Sequence, residues 1–237
     1  MHTSIYNIPV SHLLLVLIPI AMVIVLYTVW TQKTSTVIHA TVRMVIQLLL
    51  VGFVLVFLFD SKSPLLLTGV LSVMLIIASI IAVRPLKKKN KIVWAQALIS
   101  LVTGCVPVLA LAILGILRAE PWYEPKYLIP VGGMIFANSM NAVSLAAERF
   151  ESDRGNQIDF KTARGNAYRA CLLPLLNVFF AAGLVSLPGM MTGQILAGVS
   201  PLIAVRYQVM IMGIIFGAAG LSAAIYLYQQ TAKPQSS

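Results

Sequence analysis

Residues 65–83 read LLLTGVLSVMLIIASIIAV, an apolar run that contains no charged residue. A helix needs about 20 such residues to cross the hydrocarbon core of a bilayer, so this run predicts a transmembrane helix. A strand of a membrane β-barrel would alternate apolar and polar positions over about ten residues, and this run does not alternate. The sequence therefore favours an all-α membrane protein.

The composition extends this interpretation to the whole chain. Of the 237 residues, 59% are hydrophobic and only 10% are charged, and the mean hydropathy is +0.91. Soluble domains carry about 25% charged residues, so the composition excludes a water-soluble globule and a large catalytic domain outside the membrane. We expect one transmembrane domain over residues 1–237, with seven helices at about 10–30, 38–59, 64–83, 93–117, 128–147, 170–187 and 202–228.

The lysines and arginines predict the orientation of these helices. With the N-terminus outside, twelve of them fall in cytoplasmic segments and three in external segments, which is the positive-inside bias. The cytoplasmic set is Lys33, Arg84, Lys87, Lys88, Lys89, Lys91, Arg149, Arg154, Lys161, Arg164, Arg169 and Lys233, and the external set is Lys62, Arg118 and Lys126. We predict an N-outside, C-inside protein whose net charge of +10 reflects topology, not nucleic-acid binding.

The sequence contains no recognisable catalytic motif. All seven carboxylates fall in loops or at the ends of spans, and no phosphate-binding loop, nucleophile elbow or metal-ligand spacing is present. We therefore predict a chain that is not an enzyme, that has no cofactor of its own, and whose two cysteines are free thiols. Energy for any uphill transport is expected to come from another polypeptide, because no carboxylate lies at mid-membrane depth to relay protons.

Two arginines lie inside predicted spans. Arg43 precedes Gln47 by one helical turn, and Arg206 is followed by Gln208. One interpretation is that each arginine extends to the lipid headgroups. The other is that these residues line a substrate pathway, because ionisable groups at membrane depth are costly.

The fifth predicted helix carries two amides at membrane depth. Gly133, Ala137 and Asn141 recur every four residues, a stripe that close helix packing explains. Asn138 and Asn141 need partners in protein or water, because an unpaired amide in lipid is expensive. We predict that both asparagines face the interior of the bundle or of a dimer and line the pathway.

An uncharged segment between prolines, residues 188–201, precedes the last helix. It is too short to span a bilayer, so we expect a re-entrant or interfacial segment. Met190 and Met191 are either soft metal ligands or adaptable gap-filling side chains. Gln194 is assigned to the pathway together with them, and the identity of any metal stays open.

Four motifs give the chain a resemblance to a known family. They are LVSLPGMMTGQILAGVSP at 184–201, AVRYQVMIM at 204–212, PVGGMIFANSMN at 130–141 and RACLLPLLN at 169–177. Together with Arg43 and Gln47 they resemble the FetB-type permeases, described as the iron-export membrane subunits of ABC transporters, with plant aluminium-tolerance permeases as relatives.

The resemblance implies a function, partners and a location. It implies a multi-pass subunit of the bacterial plasma membrane that forms a homodimer and pairs with an ATP-binding subunit, which supplies ATP and Mg²⁺. Three alternatives stay open: a structural or regulatory membrane subunit, a carrier or channel that works without ATP, and an ABC permease for a non-metal substrate such as a nucleotide sugar.

The polar stretch at 148–169 is expected to be a cytoplasmic loop that contacts the ATPase. Within it we predict a short helix from about Asp159, a plausible N-cap after a turn at Gly155 and Asn156. Coupling is assigned to Asp159, Phe160, Lys161 and Arg164. The alternative is a solvated loop that only anchors the sixth helix.

Overall fold

The computed structural model describes residues 9–31, 34–61, 63–87 and 89–230, in which we distinguish eight helices and no strand. Lys33, Lys62, Lys88 and Lys233 lie outside these residues. In chain order the helices are α1 (Leu17–Thr31, preceded by the helical turns Val10–Leu13 and Leu14–Val16), α2 (Thr34–Asp60), α3 (Pro64–Ala82), α4 (Lys91–Ala110, continued by the π-helical turns Leu111–Ile116), α5 (Pro125–Gly155), α6 (Phe160–Ala181), α7 (Gly189–Leu196) and α8 (Pro201–Tyr228).

Six helical stretches of the described chain are long and apolar enough to cross a membrane. They are Ser11–Thr31, Ser35–Asp60, Pro64–Ala82, Lys91–Ile116, Pro125–Gly155 and Pro201–Tyr228. The predicted all-α class is confirmed, whereas α6, which replaces the sixth predicted span, is not among the six. The seventh span and the orientation stay predictions.

Residues 148–169, predicted to be a loop that contains a short helix from about Asp159, are helical over most of their length: the helix capped by Asp159 is confirmed, whereas the loop expected at 148–155 is wrong. Helix α5 continues to Gly155 and α6 begins at Phe160, so only four residues connect the two helices. The sixth helix therefore occupies Phe160–Ala181 instead of 170–187. Hydropathy places the end of α5 too early because it follows only the side chains. These become polar where a helix leaves the bilayer, whereas the backbone hydrogen bonds of the helix continue. The turn predicted at Gly155 and Asn156 is found one residue later, at Asn156 and Gln157, because Gly155 is the last residue of α5.

Local signals in the sequence explain where several helices begin. The Ser63 side chain accepts a hydrogen bond from the backbone N–H of Leu66, and Pro64 occupies the first turn of α3. The Asn90 side chain accepts a hydrogen bond from the backbone N–H of Val93 at the start of α4, at 2.8 Å. Each cap satisfies an N–H group that has no partner inside its helix.

The chain divides into two compact units after Ser61. In the first unit, α1 and α2 contact one another. In the second unit, α5 and α8 lie at the centre, because α5 contacts α3, α4 and α6, and α8 contacts α4, α5, α6 and α7.

A cluster of small residues packs α5, α6 and α8 together. Six of its ten buried members are alanines: Ala142 and Ala146 from α5, Ala163 and Ala167 from α6, and Ala219 and Ala223 from α8. Small side chains let helix backbones approach closely, which is how helices associate in lipid, where apolar burial alone gives little preference. The cluster also shows that the end of α5, the start of α6 and the end of α8 lie at the same level.

The contact between α4 and α8 is closer still. A Cβ added to Gly104 would lie 2.7 Å from the backbone nitrogen of Ser222 and 2.8 Å from its Cα, which is closer than real side chains approach. Any larger residue at position 104 would therefore push the two helices apart.

Candidate functional site

We call residues 148–169 the arm; it consists of the end of α5, the four connecting residues and the start of α6. Asp153 is the only charged residue among the buried side chains of the described chain, with 2% of its surface exposed. Arg149 Nε lies 3.1 Å from Asp153 Oδ1, and Asn166 Nδ2 donates a 2.9 Å hydrogen bond to Oδ2. Because Asn166 belongs to α6, this carboxylate ties the two helices of the arm together.

Further contacts stiffen the tip of the arm. Arg154 Nη1 donates a 2.8 Å hydrogen bond to the carbonyl oxygen of Ile158. The rings of Phe150 and Phe160 pack edge to face across the two helices, with centroids 5.7 Å apart. Gln157 turns the chain between them with a φ of 61°. The connection is therefore held by side chains from both helices.

Asp159 caps α6 as predicted. Its Oδ1 accepts hydrogen bonds from the backbone N–H groups of Lys161 and Thr162, both at 3.0 Å. Hydrogen bonding from the Thr162 side chain and backbone, and then from the Lys161 backbone, holds the pKa of Asp159 below its ordinary value, with a smaller contribution from the charge of Arg154. The carboxylate is thus ionised at neutral pH, next to the positive end of the helix dipole.

The four residues assigned to coupling lie together at the start of α6. Asp159, Lys161 and Arg164 are exposed and Phe160 is half-buried. The Arg164 guanidinium lies over the Phe160 ring, 5.5 Å from its centroid. Such a surface offers a hydrogen-bonding cation, an aromatic ring and a fixed helix end to a soluble partner.

The turn after α3 also touches the arm. The backbone N–H of Lys87 donates a 3.0 Å hydrogen bond to Glu151 Oε2 on α5. An open cleft of about 340 Å³ lies beside this contact, with Lys87, Glu148 and Glu151 among its lining residues. The turn after α3 and the arm therefore form one continuous polar surface.

Residues assigned to the pathway near α7 form a second group, at the junction of α7 and α8. Gln194 and Gln208 are half-buried, and the Oε1 atom of each is buried without a hydrogen-bond partner in the described chain. Met190 and Met191 are half-buried, whereas Arg206 is exposed. A buried amide oxygen without a hydrogen-bond partner costs free energy. Each of these two oxygens could therefore accept a hydrogen bond from a bound molecule or coordinate a cation.

The two asparagines of α5 behave differently from one another. Asn138 is half-buried, and its Nδ2 donates a 2.8 Å hydrogen bond back to the carbonyl oxygen of Met134. Asn141 lies one turn further along α5 and is exposed. Asn138 is thus satisfied within its own helix, and Asn141 is available to another surface.

The asparagines and glutamines do not form one cluster. Ala142, next to Asn141, packs at the level of Ala219. Gln208 precedes Ala219 by eleven residues, which is about 16 Å along the axis of α8. Asn141 and Gln208 therefore lie at different levels of the second unit.

Arg43 and Gln47 belong to the first unit. Both side chains are exposed on α2. The prediction that they line a pathway together with residues of α5 and α8 stays a prediction.

Sequence reasoning missed the polar contacts between α4 and the end of α8. Gln229 Nε2 donates a 2.9 Å hydrogen bond to Ser100 Oγ, and Gln96 Nε2 donates to the Gln229 carbonyl oxygen at 3.3 Å. One layer deeper, the Cys105 thiol lies 3.6 Å from Ser222 Oγ. The signal was a stripe of residues that are polar or small, four apart on α4, at Gln96, Ser100 and Gly104, but such residues are too common for that spacing to be specific.

No group of three or more His, Cys, Asp or Glu side chains that could hold a metal occurs among the described residues. Cys105 and Cys171 are both buried and both free, which confirms the predicted thiols.

These features define the class: the chain is a helical, multi-pass membrane protein with a stiff polar arm. The sequence profile of the uncharacterised protein family UPF0014 matches residues 10–233. The chain belongs to this family, and the resemblance to FetB-type permeases is confirmed.

Three curated relatives show the range of the family. The chain is 36% identical over 197 residues to the UPF0014 membrane protein slr1647 of Synechocystis, covering 77% of this chain and 76% of the relative. It is 32% identical over 207 residues to the probable iron export permease protein FetB of Escherichia coli, covering 78% and 76%. It is 30% identical over 208 residues to the UPF0014 membrane protein STAR2 of rice, covering 80% and 70%. No solved structure matches the chain.

Proposed function

We propose that the chain is the membrane-spanning permease subunit of an ABC transporter that exports a metal ion such as iron. ATP, with Mg²⁺, is hydrolysed by a separate ATP-binding subunit, and the permease acts as a homodimer. Membership of the same family as a protein named a probable iron export permease supports this substrate class. The arm is the observation that carries the proposal.

The length of α5 supports an arm outside the bilayer. Its 31 residues are about 46 Å long, whereas the hydrocarbon core is about 30 Å thick. The first charged residue after Lys126 on this helix is Glu148, at a distance of 22 residues, or about 33 Å. The remainder of α5, from Glu148 to Gly155, therefore extends beyond the membrane.

A rigid projection is what coupling to an ATPase needs. Closure of a soluble subunit can move membrane helices only through an element that transmits the displacement without bending. Asp153 joins α5 to α6, and the alanine cluster joins both helices to α8. A push at the tip of the arm would thus move three helices together.

The topology of the proposed permease follows from the same reasoning. The arm carries Arg149, Arg154, Lys161, Arg164 and Arg169, so its side of the membrane is the cytoplasm under the positive-inside rule. The part of α6 beyond the arm, residues 170–181, is about 18 Å long and supplies the seventh span in part. The N-terminus then lies outside.

Reconstitution with an ATP-binding subunit tests the proposal. The subunit would be recognised by its phosphate-binding loop and by co-purification with this chain, and ATP-dependent movement of Fe²⁺ would be measured in vesicles. We expect transport only with both subunits and ATP. The double variant F160S/R164S should lower transport and ATP hydrolysis together, because it removes the aromatic ring and the cation at the tip.

A matched double variant controls for general damage. R169S/L173S removes one cation and one apolar side chain from exposed positions further along α6. This control should retain transport. Unchanged coupling in F160S/R164S would exclude the tip of the arm as the contact, and transport without ATP would exclude the ABC mechanism.

A further inference from the structure

A groove of about 450 Å³ lies between α6 and α8 on the surface of the second unit. From α6 it is lined by Lys161, Arg164, Gly165 and Tyr168. These positions have the spacing i, i+3, i+4 and i+7, which places them on one face of the helix. The α6 wall of the groove is thus one continuous helix face, with two cations at one end and a tyrosine at the other.

The opposite wall of the groove is apolar. It consists of Ala224, Leu227 and Tyr228 from the last two turns of α8. Gly165 leaves the centre open, because a Cβ added there would meet no atom within 4 Å. None of the seven lining residues is acidic.

The groove lies where the bilayer ends. Helix α8 has 28 residues and is about 42 Å long, so about 12 Å of it exceeds the hydrocarbon core. With the excess divided between the two ends, the last turn of α8 is at headgroup depth. Tyr168 and Tyr228 are exposed there, as expected of tyrosines at a membrane interface.

We propose that this groove binds an anionic phospholipid. The phosphate lies between Lys161 and Arg164, and an acyl chain lies along Ala224, Tyr228 and the open position at Gly165. Basic pockets between membrane helices at the interface bind lipid headgroups in this way. The stacking of Arg164 on Phe160 limits the motion of the guanidinium and so favours a fixed site over a diffuse charge.

Charge and shape together distinguish this occupant from a free anion. Inorganic phosphate would use the two cations and would leave the apolar wall exposed to water. A phosphatidylglycerol molecule covers both parts of the groove. The proposal does not rest on the transport function, because lipid binding requires neither an ATPase nor a transported ion.

The test measures lipids bound to the purified full-length chain by native mass spectrometry. Phosphatidylglycerol and phosphatidylcholine with the same acyl chains are added at equal concentration, and the wild-type chain should retain the anionic lipid preferentially. K161Q/R164Q should weaken phosphatidylglycerol binding about twentyfold or more, at about fivefold for each cation. R169Q removes one cation from α6 outside the groove lining and should change binding less than twofold.

A second pair of variants tests the shape of the groove. G165L fills the open centre while keeping both cations, and leucine favours the helix over glycine, so the fold is retained. It should weaken binding of both lipids at least fivefold. G213L adds the same side chain at an open position on α8 away from the groove and should leave binding unchanged.

Four outcomes would overturn the proposal. They are no preference for phosphatidylglycerol in the wild-type chain, equal losses in R169Q and K161Q/R164Q, full binding by G165L, and displacement of the lipid by millimolar inorganic phosphate. Loss of ATPase co-purification in G165L with lipid binding intact would assign the groove to a protein partner instead.

Discussion

The hydrogen bond from Asn166 to Asp153 is where we expect the arm to be most sensitive to substitution. The variant N166L removes the α6 donor while the Arg149 ion pair remains within α5. A hydrogen bond to a charged group contributes about 1.5–3 kcal/mol, and the buried carboxylate would lose its link to the other helix. With about 2 kcal/mol lost, the equilibrium for opening the arm shifts about thirtyfold, since 1.4 kcal/mol is a factor of ten.

Amide hydrogen exchange of the purified chain in detergent measures this opening. The first turns of α6, residues 161–166, should exchange about thirtyfold faster in N166L, whereas α3 and α4 should be unchanged. The matched control is N177L, the same substitution at an exposed asparagine on the same helix. Equal exchange of residues 161–166 in the two variants would refute the role of Asp153 as the tie between the helices.

Three further predictions concern other parts of the molecule. Because the pKa of Asp159 is lower in the folded chain than its ordinary value, the ionised cap stabilises α6 at pH values above the ordinary aspartate pKa, and this stabilisation is lost as the pH falls through the folded pKa. Amide exchange at residues 161–163 should therefore become faster only in acid. The variant D159N should remove this pH dependence of the exchange rate. G104L should lower the free energy of unfolding by about 1–3 kcal/mol in denaturant titrations, because the added side chain meets the Ser222 backbone, while G52L, which meets no atom, should not. In the reconstituted transporter, N138L and N141L should reduce transport at unchanged expression, and full transport by both variants would exclude α5 from the pathway.

Apolar helices of this chain are readable from the sequence because hydropathy is a local property. The predicted spans at 10–30 and 64–83 agree with the helical stretches Ser11–Thr31 and Pro64–Ala82 to within one residue at each end. The Asp159 cap was also readable, because the acceptor and the two N–H groups lie within four residues of one another. Local signals of this kind need no knowledge of tertiary contacts.

The arm was not readable in the same way. Glu148–Asp153 is polar, and polarity alone predicts a loop, although Phe150 and Asp153 lie on a buried helix face. Asp153 could be recognised only through Asn166, which is 13 residues away and on another helix. The close contact of Gly104 with Ser222 depends on residues that are even further apart in sequence. Burial of a polar group is decided by such distant partners.

The chemistry that joins α5 to its neighbours changes along its length. Within the bilayer, burial of apolar side chains gives helices little preference for one another over lipid. Small residues such as Ala142 and Ala146 stabilise the contact instead, because they let the helix backbones approach closely. Beyond Glu148, water competes for every polar contact. There the buried Asp153 carboxylate, through its ion pair with Arg149 and its hydrogen bond from Asn166, holds α5 and α6 together. A single helix is thus fixed by packing in lipid and by charge in water. In the proposed transporter, this continuity would let a displacement at Asp159 reach the alanine cluster without bending α5.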